Sequence, residues 1–393
     1  MADLTRILFV GDVELGGEFA GRYCGTAADR ENPFSEVRPL FGQADLVVGN
    51  LESPLAKSST PRPKRNLLHA PPEAVSFLDY LGFTSLCLAN NHITDQGGEG
   101  IVKTRALLRR HGIECFGAGE NIATASQAAF NRHGEQTFGF LGYAVAGEDV
   151  GAVIAGESED GCAPFSIDNV KRDVAALRSR VSHVIVSLHW GYQFDLLPSP
   201  EQIETAREII DAGAFVVHGH HPHVVQGVER YRNGLIMYSL GNFLFPNFKR
   251  TDGLRFSFPK ISRQTVAVMS EVDDSGVKSF SVFPLRVASS YRVRPVKGLR
   301  CILDKKSLSS RSMALSTSNY ERRWRDHHAK NRRARKRQER LLEARFRLKQ
   351  LRNQLRAEGC AGILKKLRRR RLGEMAHALW TYVAPLLMHI IRR

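Results

Sequence analysis

The chain lacks the short motifs that would point to several familiar chemistries. It has no Gly-rich phosphate cradle, no Gly-x-Ser-x-Gly elbow and no zinc-finger spacing, which argues against a P-loop nucleotidase, an elbow-type serine hydrolase and a finger module. Cysteine is sparse, and Cys24, Cys87, Cys115, Cys162, Cys301 and Cys360 show no paired short spacing. Several of them stand inside apolar runs, so they are expected as small buried hydrophobes in a reducing compartment. Long apolar runs are missing as well. The stretch 375–391 is broken by His377, Pro385 and His389 and falls short of the ~20 apolar residues that span a bilayer. The first apolar run is under way by Ile7, which leaves no room for a signal peptide and leads to the expectation of a cytoplasmic protein.

Acidic side chains are scarce in one part of the chain only. Residues 291–393 contain 30 Lys and Arg against 7 Asp and Glu, whereas residues 1–290 hold 27 basic and 33 acidic side chains. The formal charge of +17 therefore belongs to a tail attached to a mildly acidic body. At 393 residues the body is long enough to bury a sizeable core.

What is abundant in the body is histidine at the end of an apolar run. The run 214–217 leads straight into HGHHPHVVQ at 218–226, four imidazoles in six residues. A buried strand ending in such a cluster holds several neutral nitrogen donors rigidly, as a transition-metal site requires. Five other apolar runs end in polar clusters: 7–10 before Gly11 and Asp12, 45–48 before GNLE at 49–52, and 85–89 before NNH at 90–92. The run 184–188 precedes HWG at 189–191, and 235–240 precedes Gly241 and Asn242. Short β-branched runs without polar alternation read as strands buried on both faces. Ligands of open α/β sheets bind beyond the carboxyl ends of the strands, so the six clusters are expected to converge.

Between these runs, helical spacing with boundary signals predicts helices over 73–81, 98–111, 167–180 and 200–212. Alternating strands and helices indicate stacked βαβ units. The runs 265–272 and 278–287 read as closing antiparallel strands. Residues 57–66 and 147–164 read as surface loops bordering the site. The expected organisation is a domain at 1–300, a Ser-rich linker at 301–320 and a basic helical tail at 321–393 with an apolar end.

These clusters, in this order, resemble the CapA-type capsule-synthesis family, also called the poly-gamma-glutamate biosynthesis family, a branch of the calcineurin-like metallophosphoesterase fold. The resemblance rests on GDVELGG at Gly11, GNLESPL at Gly49, LANNHITDQGGEG at Leu88, LHWGYQF at Leu188, GHHPHVVQG at Gly219 and YSLGNFLF at Tyr238. It implies a four-layer α/β/β/α sandwich. It also implies one or two divalent ions, Mn, Zn or Fe, with Asp12, Glu52, Asn91, His189, His221 and His223 as ligands and Glu52 as the bridge. His92 is implied as the catalytic acid or donor to developing charge. Asp95 either orients His92 or caps the helix that starts near Gly98. His218 is expected to be structural, His220 is left open, and Ser239 and Asn242 serve either a turn or the substrate.

The sequence departs from the pattern twice. Glu14 stands where the calcineurin-like fold has a histidine, and Gln193 where the family tends to carry an acid.

The resemblance implies a metal-dependent hydrolase of an exopolymer or of its phosphorylated, lipid-linked precursor. A non-catalytic assembly factor and a nucleic-acid phosphoesterase are the alternatives. The tail, with Leu341, Ala344, Leu348, Leu351 and Leu355 at a/d spacing and a basic run at 365–371, suits an anionic membrane surface at the cytoplasmic face. A solvated helix or a nucleic-acid partner are the other readings of the same charge.

Overall fold

The computed structural model describes residues 4–24, 32–147, 149–296, 312, 315 and 319–369. From the N-terminus, β1 (Thr5–Val13) leads through α1 (Gly17–Tyr23) and α2 (Arg38–Phe41) to β2 (Leu46–Leu51). Next come α3 (Val75–Leu81), β3 (Ser85–Cys87), α4 (Gly97–Arg110) and β4 (Glu114–Phe116). The short elements β5 (Ala118–Gly119) and α5 (Ile122–Ala125) precede a hairpin of β6 (Ala129–His133) and β7 (Gln136–Ala144). Then follow β8 (Gly161–Cys162), α6 (Ile167–Leu177), β9 (His183–His189), α7 (Pro200–Asp211) and β10 (Val216–His220). The body closes with β11 (Val228–Tyr231), β12 (Gly234–Met237), β13 (Asn242–Leu244), β14 (Phe248–Lys249), β15 (Arg255–Phe256), β16 (Gln264–Asp273), β17 (Gly276–Val287) and β18 (Val293–Pro295). A long helix, α8 (Tyr320–Arg369), ends the described chain.

Two sheets carry the fold. The first runs β18-β17-β16-β1-β2-β3-β4 with β13 also paired to β1, and the second runs β11-β12-β10-β9-β7-β6. In the first, β1 to β4 are parallel; in the second, β7, β9, β10 and β12 are parallel. The expected runs are thus the parallel strands of both sheets, and the runs expected as antiparallel closers are β16 and β17.

Burial follows the strand period. Along β9, Ile185 faces the core between the sheets, while Val184, Val186 and Leu188 face α6 and α7. Val216 and Val217 of β10 divide the same way, as do Met237 and Ile236 of β12. Phe9 of β1 meets His218 of β10 edge-on at 5.2 Å, directly between the sheets. Helices α3 and α4 cover the first sheet through Leu78, Leu81, Ile101 and Leu108. The architecture is the expected four-layer α/β/β/α sandwich, and His218, expected to be structural, lies inside β10 with no exposed surface.

The predicted helices begin and end within a few residues of their signals. Helix α7 starts on a capping box of Ser199 and Gln202 with Pro200 in its first turn. The helix expected over 73–81 opens as a 3₁₀ turn at Pro72–Ala74 before α3. Cys24, Cys87, Cys115 and Cys162 are unpaired, and Cys87 and Cys162 are buried.

The chain forms two compact units, Met1–Asn331 and Arg332–Arg393. Most of the proposed linker lies outside the described residues, but Leu315 and Tyr320 are buried in the core of the first unit. The apolar stretch 375–391 also lies outside the described residues. Among the described residues no helix is long and apolar enough to cross a membrane.

One contact at the tip of β1 fixes the geometry that follows. The Asp12 amide donates to the Gly241 carbonyl at 2.9 Å, and a Cβ on Gly11 would lie 1.8 Å from that same oxygen. Only glycine lets β13 approach here. Gly11→Ala should therefore cost about 3 kcal/mol by overpacking, read as a lower urea midpoint at unchanged slope; an unchanged midpoint would show that the strand end yields freely.

Candidate metal centre

All six clusters meet where the parallel strands of both sheets end. Asp12 leaves β1, Asn50 and Glu52 leave β2, and Asn90, Asn91 and His92 follow β3. His189 ends β9, His220 ends β10, and His221 and His223 lie in the turn beyond it. Asp12, Glu52, His189 and His220 have no exposed surface, and His221 and His223 are 2% exposed. With Asn242 at the start of β13, six separate pieces of chain thus deliver polar atoms into one buried space.

Within it the donors fall into two groups that share Glu52. In one, His223 Nδ1 lies 3.3 Å from Asp12 Oδ2 and His223 Nε2 lies 3.7 Å from Glu52 Oε1. In the other, His189 Nε2 lies 3.6 Å from Glu52 Oε1, 3.1 Å from Asn91 Oδ1 and 3.2 Å from His221 Nδ1. The Asn50 amide donates to Asp12 Oδ1 at 2.9 Å and to Glu52 Oε2 at 3.4 Å, holding the two carboxylates side by side. Every residue expected as a ligand is present in one group or the other.

Hydrogen bonds on the far side of each ring decide which nitrogen faces inward. His223 Nδ1 is 2.8 Å from Asn242 Oδ1 and donates to it, so Nε2 is the bare acceptor turned toward Glu52. His221 Nε2 donates to the Asp149 carbonyl at 3.1 Å, so Nδ1 is the bare acceptor turned toward His189. Glu52 Oε1 is buried without a hydrogen-bond partner. Lone pairs converging on an orphaned carboxylate oxygen repel one another unless a cation lies among them, so this donor set fits a divalent ion. Among the described residues, Asp12, Glu52 and His223 offer ligand atoms all within 4.8 Å of one another.

The protonation states follow from burial. Burial by itself would raise Asp12, but its hydrogen bonds to His220 and His223 outweigh that and hold the carboxyl well below the usual range. Burial and the Asp12 charge push Glu52 well above it. Burial, reinforced by His221, keeps His189 neutral, and burial with His223 pushes His221 down to about 3. Without a cation, one carboxylate of the pair is ionised and the other protonated, because like charges this close cannot both persist unscreened.

Beside the donors stands a second constellation. His92 Nδ1 lies 2.8 Å from Asp95 Oδ2, and the Leu68 amide donates to that oxygen at 2.7 Å. Lys64 Nζ donates to Asp95 Oδ1 at 2.9 Å and to the Asn91 carbonyl at 2.5 Å. Asp95 therefore orients His92, as one of the two expectations held. Burial first, and Lys64 second, lower the His92 pKa and leave the ring neutral. Its Nε2 is the nitrogen free to meet a substrate.

Sequence reasoning missed several of these partners. His220, left open, places Nδ1 3.2 Å from Asp12 Oδ1. Asn90 braces the third cluster by accepting from the His92 and Ile93 amides while donating to Asn50. Lys64 belongs to the loop 57–66 that was expected to border the site, but nothing in the sequence distinguishes it from Lys57 or Arg65. Glu14, the departure from the fold's pattern, accepts from the Gly16 amide at 2.7 Å through one oxygen, its other oxygen is buried without a partner, and burial pushes its carboxyl up to about 8. Ser239 accepts from the Gly241 amide, a turn role.

The comparison with known families agrees with this geometry. The model of the bacterial capsule synthesis protein PGA_cap matches residues 6–247, the span that contains every residue of the centre. The chain belongs to the PGA_cap family. Among the relatives of this PGA_cap chain, the capsule biosynthesis protein CapA of Bacillus anthracis is 32% identical over 293 residues, covering 71% of this chain and 66% of that protein. The PGA biosynthesis protein CapA of Bacillus subtilis is 29% identical, covering 72% of each. Solved structures with a partial likeness include a phosphatase from Mycoplasma pneumoniae, at TM-score 0.45 and 14% identity over 73% of this chain and 95% of that one. The calcineurin-like phosphoesterase YfkN of Bacillus subtilis follows at TM-score 0.39 and 11% identity, over 72% and 91%.

Burial and the Asp12 charge favour the protonated form of Glu52, so metal uptake is expected to release protons and to tighten as pH rises. Calorimetry of manganese binding in two buffers of different ionisation enthalpy measures that release directly. The His221→Ala, His223→Ala double variant should lose the binding. Undiminished binding in that variant, or proton uptake in the wild type, contradicts the assignment.

Proposed function

We propose that this protein is a metal-dependent hydrolase of capsule or exopolymer synthesis. Its substrate would be an exopolymer or a phosphorylated, lipid-linked precursor. The observation that carries the reading is Glu52 Oε1, an orphaned buried oxygen shared by two groups of inward-facing donors. Asp12, Glu52 and His223 would hold one divalent ion, Mn, Zn or Fe, and Glu52, Asn91, His189 and His221 a second. Such ions supply Lewis acidity toward a phosphoester or amide and make water more acidic at neutral pH.

The remaining steps belong to the chain's own side chains. Asp95 keeps the His92 Nδ1 proton in place, so Nε2 points its lone pair outward and can take a proton and return it to a leaving group. Lys64 anchors Asp95 from the other side and closes this end of the site. Asn50 keeps Asp12 and Glu52 apart at a fixed distance, so the ligand oxygens need no rearrangement. The relatives' names associate the family with capsule and PGA biosynthesis, which points to the polymer as the substrate class. A non-catalytic assembly or anchoring role is the second reading, and Glu14 favours it, because it stands where the fold's pattern has an imidazole donor and commits one oxygen to the Gly16 amide.

His92→Ala separates the two readings. It should keep bound metal and lower turnover of a generic phosphodiester roughly 100-fold or more, with both measured on one preparation. A rate unchanged by the substitution would favour the assembly role.

We further propose that the basic segment, residues 321–393, recruits the protein to an anionic membrane surface at the cytoplasmic face. Each basic residue near such a surface contributes about 1 kcal/mol, and 23 more basic than acidic side chains follow residue 290. Full-length protein should float with vesicles containing anionic lipid and release in high salt, whereas a chain ending at Asn331 should stay behind. Equal flotation with neutral vesicles, or preferential capture by DNA, overturns this reading in favour of the nucleic-acid alternative.

A further inference from the structure

The loop between β9 and α7, residues 190–199, joins the two histidine-bearing segments. Trp190 donates its amide to the His220 carbonyl at 3.2 Å, and Phe194 donates its amide to the Pro222 carbonyl at 2.8 Å. Gln226 donates to the Asp195 carbonyl at 2.9 Å. The backbone here is unusual. Phe194, His221 and His223 all have positive φ, at 65°, 94° and 56°, a region that non-glycine residues occupy only when their surroundings hold them there.

Those surroundings include a buried charge with no partner in the loop itself. Asp195 has no exposed surface, and both of its carboxylate oxygens are satisfied from α8. His328 Nδ1 donates to Oδ2 at 2.6 Å, and Asn331 Nδ2 donates to Oδ1 as well as to the Gln193 carbonyl at 3.1 Å. The Leu196 amide donates to His327 Nε2 at 3.1 Å, and the Tyr320 hydroxyl donates to the Pro198 carbonyl at 2.6 Å. The Tyr192 ring lies 4.4 Å from that of His328, which in turn stacks on Trp324 at 5.1 Å. Positions 320, 324, 327, 328 and 331 form a single stripe along the helix.

We infer that the first three turns of α8, residues 320–331, are a strut that sets the metal-centre geometry, with His328 and Asn331 as positioning residues. They hold Asp195, Asp195 holds the loop, and the loop holds the turn that presents His221 and His223. Removing the strut leaves a buried carboxylate unpaired, and the loop must open to hydrate it. The inference rests on the metal-centre reading only for its effect on metal affinity. The effect on the loop stands by itself.

The test uses the full chain, metal-free and then titrated with manganese. Hydrogen exchange of the metal-free His328→Ala, Asn331→Ala double variant should be faster over 190–199 and also over 220–226, with β1 and β2 unchanged. Asn331→Ala alone should show the same pattern in smaller degree, should the double variant fold poorly. His328→Asn, which keeps a donor near the Nδ1 position, should restore protection. Manganese affinity of the double variant should fall roughly ten- to hundred-fold, as for other supports behind metal ligands, and recover in His328→Asn. Faster exchange confined to 190–199, or unchanged affinity in the double variant, overturns the strut. A wild-type chain that binds no manganese overturns the metal reading, and the exchange at 220–226 then decides the strut without it.

Discussion

Everything at the centre of this protein depends on two carboxylates that have been taken out of water together. Asp12 and Glu52 are fully buried, and one asparagine amide spans both. Burying one charge is costly and burying two of the same sign beside each other is more so, which is why their proton affinities are driven in opposite directions. Burial keeps His189 and His221 neutral, and His223 turns a bare ring nitrogen toward the shared oxygen. The site is thus built to be incomplete without positive charge. The ends of the strands supply the rigidity that keeps it from collapsing.

That rigidity is assembled from distant parts of the chain. Asp12 and His221 are 209 residues apart, and the His221 amide still reaches the Asp12 carboxylate at 3.4 Å. Both sheets must be complete and packed face to face before their ends can oppose each other. Contacts at such separation form late, after the loop-closure entropy has been met by the cores. The centre therefore reports on the fold as a whole, and a defect in either sheet displaces ligands contributed by the other.

The frame was legible in the sequence for a physical reason. A strand buried on both faces has no choice but to be continuously apolar, so β1, β2, β3, β9, β10 and β12 announce themselves, and the polar residues that end them must lie at one edge. That logic located the clusters that hold Asp12, Glu52, Asn91, His92, His189, His221 and His223, and the family resemblance singled these residues out within them. It did not reach residues placed by loops. Lys64, in a loop with three other basic residues, and His220, one of four clustered imidazoles, have neighbours of identical type, and only the three-dimensional path of the chain separates them. The β6–β7 hairpin was hidden because β6 is short and exposes Phe130 and Arg132, so it carries neither a continuous apolar run nor a clean polar alternation. The role of Asp195 was hidden because its partners, His328 and Asn331, lie more than 130 residues away in a stretch whose composition speaks only of charge.

The sutures between the two sheets have a mechanical consequence. At one end β13 leaves the second sheet's last parallel strand and pairs with β1 beside Asp12. Away from the centre, Gln136 of β7 bonds Thr5 of β1 at 2.6 Å and Asp274 at 2.9 Å, and Arg230 of β11 bonds the backbone carbonyls of Val277 and Lys278 in β17. Layers stitched at several points along their length resist the sliding by which many enzymes close on a ligand. The loops that border the centre are stitched as well: Arg62 donates to Asp160 at 2.7 Å, and the Thr251 hydroxyl donates to the Lys64 and Arg65 carbonyls at 3.2 Å. The body of the protein behaves as an anvil, held against sliding both along its layers and at its rim.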